Sequence, residues 1–173
     1  MDARVSPPAL DTARVLSQVS QTWDDDLVRQ LSDYIAIPAK SPMFDPDWAA
    51  HGFIDTVVRN AADWVAAQRV EGLTLEFVRL PGRTPVLLFE VAASRGASDG
   101  TAQPPVSGQT VLMYGHLDKQ PEFSGWRSDL GPWTPVYQDG KLYGRGGADD
   151  GYAVYAAITA IQAIKSQQVA HPR

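Results

Sequence analysis

Two short clusters hold the residue types that bind metal ions: Gly115-His116-Leu117-Asp118 and Gly146-Gly147-Ala148-Asp149-Asp150. The first follows the apolar run Val111-Leu112-Met113-Tyr114, and the second precedes the alanine-rich apolar stretch Ala153 to Ile164. A histidine and a carboxylate at the end of a buried strand, with two carboxylates at the mouth of a helix, make half of a metal site. Neutral imidazole is a good zinc ligand and usually donates its second ring N–H to an orienting carboxylate. Asp118, two residues along an extended segment from His116, lies on the same side and can reach back to it. Taken alone, His-x-Asp more often marks a satisfied structural histidine. Asp149 or Asp150 could equally be a helix N-cap, although a helix N-terminus also keeps a carboxylate ionised, as a metal requires. Gly144, Gly146 and Gly147 would let the backbone pass close to whatever the carboxylate holds. A dinucleotide-binding reading of this glycine-rich turn fails on charge, because two aspartates would occupy the place of the pyrophosphate.

The elements that must position these residues follow from hydrophobic periodicity. Pro7-Pro8 opens a first helix, about Ala9 to Thr22. Asp24-Asp25-Asp26 is expected to cap a second, whose apolar residues Leu27, Leu31, Tyr34 and Ile35 recur at helical spacing until Pro38 stops it. Lys40 to Asp47 is an irregular connector. A long helix, about Trp48 to Arg69, follows, with Ile54, Val58, Ala61 and Val65 on one side. Leu73 to Val78 and Val86 to Val91 read as antiparallel strands joined at Pro81-Gly82. Ser94 to Gly108 reads as a flexible surface loop. Thr110 to Tyr114 has the continuous apolar character of a strand covered on both faces. Val136 to Tyr143 is a hairpin around Asp139-Gly140, and a helix from about Gly151 to Gln168 closes the chain. Strands interleaved with long helices imply an α/β layered domain. In open sheets of that class ligands gather beyond the carboxyl ends of the strands, where His116 and Asp118 fall.

Composition narrows the functions. The 173 residues suffice for one domain with a real core, and 44% apolar with 20% charged residues is ordinary for a soluble globular protein. A net charge of -5 without any lysine/arginine cluster argues against a nucleic-acid surface. With no cysteine, any metal must be held by histidine and carboxylate. No apolar run approaches the ~20 residues of a membrane span, and the N-terminus lacks a signal-peptide pattern. A cytoplasmic protein is therefore expected.

Gly115-His116-Leu117-Asp118-x-Gln120-Pro121, then Trp126, Asp139-Gly140-Lys141-Leu142-Tyr143-Gly144-Arg145-Gly146 and Asp149-Asp150-Gly151, resembles the co-catalytic zinc metallopeptidases. That family includes carnosinase-like dipeptidases, glutamate carboxypeptidases, aminoacylases, acetylornithine deacetylase and succinyl-diaminopimelate desuccinylase. The resemblance implies a three-layer zinc-peptidase-like catalytic domain with a mixed, largely parallel sheet, and two zinc ions in the complete site. It makes His116 a ligand of one zinc, Asp149 the carboxylate bridging both, and Asp118 the catalytic-site aspartate that buttresses the histidine. It further implies a cis peptide between Asp149 and Asp150. Trp126, Trp133, Tyr143 and Arg145 match as packing and loop-bracing residues. Gln120-Pro121 is more like the dipeptidase branch. Gly151-Tyr152 departs from members that carry lysine after the two aspartates and then glycine. The implied reaction is hydrolysis of an amide bond in a dipeptide or an N-acyl amino acid.

The family's Glu-Glu pair, its remaining ligands and its lid or dimerisation domain have no counterpart among these residues, so residues 1–173 read as the N-terminal portion of such a catalytic domain. His171 and His51 read as a surface and a structural residue. Two alternatives follow: a hydrolase incomplete as this chain, or a catalytically silent fragment with at most weak metal binding, associating through an exposed sheet edge.

Overall fold

The computed structural model describes residues 10–94 and 109–173. The expected 94–108 loop therefore lies, apart from Ser94, outside the described residues. Helix α1 (Thr12–Thr22) starts later than the prolines suggest, because Asp11 caps it, its side chain accepting from the Arg14 N–H at 3.1 Å. One wide π-type turn, Trp23–Leu27, carries the chain without interruption into α2 (Val28–Ala36). The acidic triplet in that turn caps nothing, which corrects the sequence reading. Asp26 instead accepts from Trp64 Nε1 at 2.7 Å and from Gln30 Nε2 at 2.9 Å, tying this turn to a later helix. Ile37 turns extended ahead of Pro38 and ends α2, as the ring of a following proline demands.

The single long helix expected over Trp48 to Arg69 is two: α3 (Trp48–His51) and α4 (Phe53–Ala67). Gly52 breaks them by adopting a left-handed φ of 70°, a helix-ending conformation cheap only for glycine. Ile54, Val58, Ala61 and Val65 are buried along α4 as their spacing requires. The core residues pack in two clusters. One holds Leu27, Leu31, Trp64, Val65, Tyr155 and Ile158, with Trp64 edge-on to Tyr155 at 4.8 Å. The other holds Tyr34, Ile35, Ala39, Ile54, Val57 and Val58.

Strands β1 (Leu73–Val78) and β2 (Val86–Val91) pair antiparallel in the register Leu73 with Val91 through Val78 with Val86. Strands β3 (Val136–Gln138) and β4 (Lys141–Tyr143) form the expected hairpin. Asp139 and Gly140 both take positive φ, 52° and 72°, which matches the twist of a tight hairpin turn. The class is α/β. Among the described residues, however, the strands pair only as these two antiparallel sheets, and a single parallel bridge joins Lys40 to Lys119. Thr110–Tyr114 is not a strand: Leu112 is 92% and Tyr114 82% exposed, and Val111 N–H reaches only Arg173 O, at 2.7 Å. A buried strand needs strand neighbours on both sides, and the described residues supply none there. Helix α5 (Ala153–Ser166) closes the second side of the core. Among the described residues no helix is long and apolar enough to cross a membrane.

Candidate functional site

The site forms where the Gly115–Lys119 segment meets the Gly144–Gly151 loop. Gly115 allows the approach: a Cβ there would lie 2.5 Å from Ala153 Cβ and 3.2 Å from Asp150 Oδ2. His116 Nδ1 is 2.9 Å from the main-chain oxygen of Asp118 and 3.4 Å from its carboxylate. A carbonyl only accepts, so the proton sits on Nδ1 and the Nε2 lone pair is free. Nε2 faces Asp149 Oδ1 at 3.3 Å. The structure thus brings His116, Asp118 and Asp149 together. It changes one detail, because the backbone of Asp118 rather than its carboxylate is the nearer partner of the imidazole.

The site is open, with side-chain exposures of 29% for His116, 36% for Asp118 and 64% for Asp149. Partial burial pushes the His116 pKa down. The hydrogen bond to the Asp118 carbonyl and the charges of Asp118, Asp149 and Asp150 outweigh it, leaving the imidazole above its ordinary value. Among the described residues no group of three or more histidine, aspartate or glutamate side chains is disposed to enclose one metal ion. An apolar groove of about 520 Å³, lined by Leu87, Phe89, Leu112, Met113 and Val154, runs up to His116 and Asp150.

Neither aspartate caps a helix. Gly147–Gly151 is a wide turn in which Asp149 (φ -136°, ψ 89°) and Asp150 (φ -127°, ψ 24°) are non-helical, the peptide between them is cis, and α5 begins only after Tyr152. The glycines of this loop also have close neighbours within the protein. A Cβ on Gly144 would lie 2.3 Å from Ile35 Cγ2, one on Gly146 2.8 Å from Lys119 Cγ, and one on Gly151 2.1 Å from Tyr34 Cε1. They let the loop press against Tyr34 and Ile35 of α2 and against the Lys119 stem. The glycine after the two aspartates thereby has its reason in the Tyr34 ring.

Sequence reading missed two residues here. Tyr34 donates its hydroxyl to Leu117 O at 3.1 Å, and burial drives its pKa far up. Lys119, 1% exposed, donates from Nζ to the carbonyls of Tyr34, Ile35 and Ile37. Burial lowers its pKa to about 7. A lysine beside a charged cluster ordinarily reads as solvent-facing, so nothing in the one-dimensional pattern marks it.

Around the site, Trp126 donates to Glu122 O at 2.8 Å and the Arg145 guanidinium lies over the Phe123 and Trp126 rings at 4.9 and 5.7 Å. The Lys40 ammonium, 2.9 Å from Glu122, holds that carboxyl below the usual carboxylate range. His51 Nδ1 lies 2.8 Å from Asp45 Oδ2, in a structural contact. His171 is not on the surface. It is 3% exposed, with its backbone clamped on Ser94 and Nδ1 donating to Pro172 O, because the C-terminal tail runs beside Ser94 and Val111.

The fold agrees with the sequence relationship. The profile of Peptidase family M20/M25/M40 matches residues 112–173. It is 31% identical over 173 aligned positions to the Beta-Ala-His dipeptidase of Rattus norvegicus, covering 95% of this chain and 32% of that protein. The Homo sapiens Beta-Ala-His dipeptidase is 34% identical, over 92% of this chain and 30% of its own length. A succinyl-diaminopimelate desuccinylase of Methylobacillus flagellatus is 38% identical over 66 residues, 38% of this chain and 18% of the relative. The crystal structure of human carnosine dipeptidase 1 superposes with a TM-score of 0.60 at 29% identity, covering 95% of this chain and 33% of that one. The chain spans about a third of the length of the dipeptidases it matches.

Proposed function

We propose that this chain carries one part of the zinc site of an amide hydrolase acting on a dipeptide or an N-acyl amino acid, with His116 and Asp149 as metal ligands and Asp118 as the residue that orients the histidine. The observation that carries this reading is the 3.3 Å separation of His116 Nε2 and Asp149 Oδ1. In the neutral ring the Nε2 lone pair faces the Asp149 carboxylate, so an imidazole nitrogen and a carboxylate oxygen converge on one point. Ligands ~2.0–2.2 Å from one tetrahedral zinc stand roughly 3.3 Å apart. The donor set, one imidazole nitrogen and one carboxylate oxygen, suits that ion. The relatives support the substrate class, since they are named as a dipeptidase of Beta-Ala-His and a desuccinylase.

When bound, zinc would supply a Lewis acid for the amide carbonyl and lower the pKa of water. The chain's own residues prepare that site. The Asp118 carbonyl fixes the Nδ1–H tautomer and aims the Nε2 lone pair, as outer-shell partners of ligating histidines do. Asp149 contributes the negative charge, exposed enough to bind on both sides. The groove beside them offers apolar walls to a small substrate. A general base is a separate requirement. Asp149 is committed to the metal and the Asp118 carboxylate lies against the His116 ring at 3.4 Å, so neither is proposed as the group that takes a proton from water. Catalysis by this chain alone is therefore not expected.

A second reading, a chain that is catalytically silent and nearly metal-silent, is favoured by the lack of any three-ligand group among the described residues. Titration calorimetry with zinc on the apo chain separates the two. Weak binding, with Kd above about 1 μM, that H116A abolishes is the expected result, and D118A, which keeps the carbonyl that holds Nδ1, should weaken it by less than about tenfold. No heat of binding, or binding indifferent to H116A, would remove the metal assignment. Dipeptide turnover by the purified chain that depends on zinc and on His116 would remove the inference of inactivity.

A further inference from the structure

Lys119 touches both halves of the site. Its backbone follows Asp118 and is pinned by two hydrogen bonds: its N–H donates to Ala39 O at 2.9 Å and its carbonyl accepts from Ser41 N at 2.9 Å. Its side chain turns inward. Nζ reaches Tyr34 O and Ile37 O at 2.6 Å each and Ile35 O at 3.3 Å, and lies 4.0 Å from the Tyr34 ring centroid. The last carbonyls of a helix have no partners within it, and a cation there also meets the negative end of the helix dipole. Nζ occupies that place at the end of α2, and three acceptors use all three of its protons. On its other side the stem fills the space above Gly146, where a Cβ would come within 2.8–3.0 Å of Cγ, Cδ and Cε. Gly146 O accepts from Gly151 N at 2.8 Å, closing the loop that carries Asp149.

We propose that Lys119 is a positioning residue for the His116–Asp149 pair: anchored on the carbonyls that end α2, it fixes the backbone carrying His116 and Asp118 on one side and the loop carrying Asp149 on the other. The separation of the two candidate ligands is then set by one buried ammonium and its stem. The bland alternative is that Lys119 merely caps α2. The two differ in what its removal does to His116, which the lysine does not touch. As far as metal affinity is concerned, this inference rests on the reading of His116 and Asp149 as ligands.

The test uses the full chain and K119M, which keeps an apolar stem and loses every donor. Melting temperature is read beside two site reporters. One is the ¹⁵N spectrum of the His116 ring in the metal-free chain, which reports the tautomer. The other is affinity for Co²⁺. Positioning predicts that K119M loses the Nδ1–H tautomer preference seen in the parent chain and binds Co²⁺ at least about tenfold more weakly, the scale found for outer-shell partners of metal sites. A lower melting temperature with an unchanged His116 ring spectrum and unchanged Co²⁺ affinity would overturn the proposal and leave a helix cap. Should the parent chain bind no Co²⁺, the metal reading fails separately, and the ring spectrum alone decides the question. If K119M does not fold, K119Q, which retains two donors, is read in the same way.

Discussion

At the scale of single residues, the electrostatics of His116 govern what the site can bind and when. Its folded-state pKa lies above the ordinary 6.5, with burial opposing and the Asp118 carbonyl and three nearby aspartates prevailing. The protonated ring is therefore favoured by the fold. Its contribution to stability is fully present below the unfolded value and is lost as pH rises through the folded one. Urea unfolding of the metal-free chain should accordingly show a larger deficit for H116A at pH 5 than at pH 8. An equal deficit at both would mean that the aspartates do not act on the ring. Metal binding runs the opposite way, because the ligand is the neutral form and each ion displaces a proton. Affinity for zinc should rise between pH 6 and 8, with proton release seen as a buffer-dependent heat. The same residue scale shows why Asp118 works through its main chain: the carbonyl, at 2.9 Å, is nearer to Nδ1 than the carboxylate at 3.4 Å.

At the scale of elements, the end of α2 is the support on which both site loops rest. Tyr34, Ile35 and Lys119 fill the places that side chains on Gly151, Gly144 and Gly146 would need. Gly151 gives the cleanest test, since its φ is not in the left-handed region and only space forbids a larger residue. G151A should destabilise the chain by about 1–3 kcal/mol, the range for overpacking a filled interior, and in a Y34A background most of that cost should vanish. Denaturant melts of the four chains of the cycle measure this. Additive effects would show that the loop and the helix do not bear on each other. The glycines after β4 were legible in sequence as a close approach, but not what approaches. A turn pattern reports a missing Cβ and is silent about the neighbour, which comes from a helix more than a hundred residues earlier.

At the scale of the whole molecule, α2, α4 and α5 share a core, while among the described residues one apolar segment stays exposed. Ile158 is fully buried between α5 and α4, and I158A should cost about 2–5 kcal/mol through lost burial and a residual cavity. That segment is Val111–Tyr114, whose side chains are 59–92% exposed beside Val86 and Leu88 of β2, themselves about half exposed. Extended apolar segments with unpaired main-chain groups invite pairing with another chain. Sedimentation of the chain should show concentration-dependent association that L112S/M113S reduces. A monomer at all concentrations, or association untouched by that pair, would show that the segment is inert.

What the sequence determined by itself is local. The apolar spacing of α4, the alternation in β1 and β2, the Asp139-Gly140 turn and the pairing of His116 with a nearby Asp118 depend on residues close together in the chain, and a short window carries them. The motif order added the relation between residues 115–118 and 146–151. The tertiary structure alone decided the rest. It broke the Trp48 helix at Gly52, turned the acidic triplet into a partner for Trp64, and buried His171 and Lys119. Among the described residues it also left Thr110–Tyr114 outside any strand, although its composition is that of a buried strand. Each of these outcomes depends on what lies opposite in space. Composition states what a segment could bury; only the neighbouring elements determine whether it is buried and what polar groups it meets there.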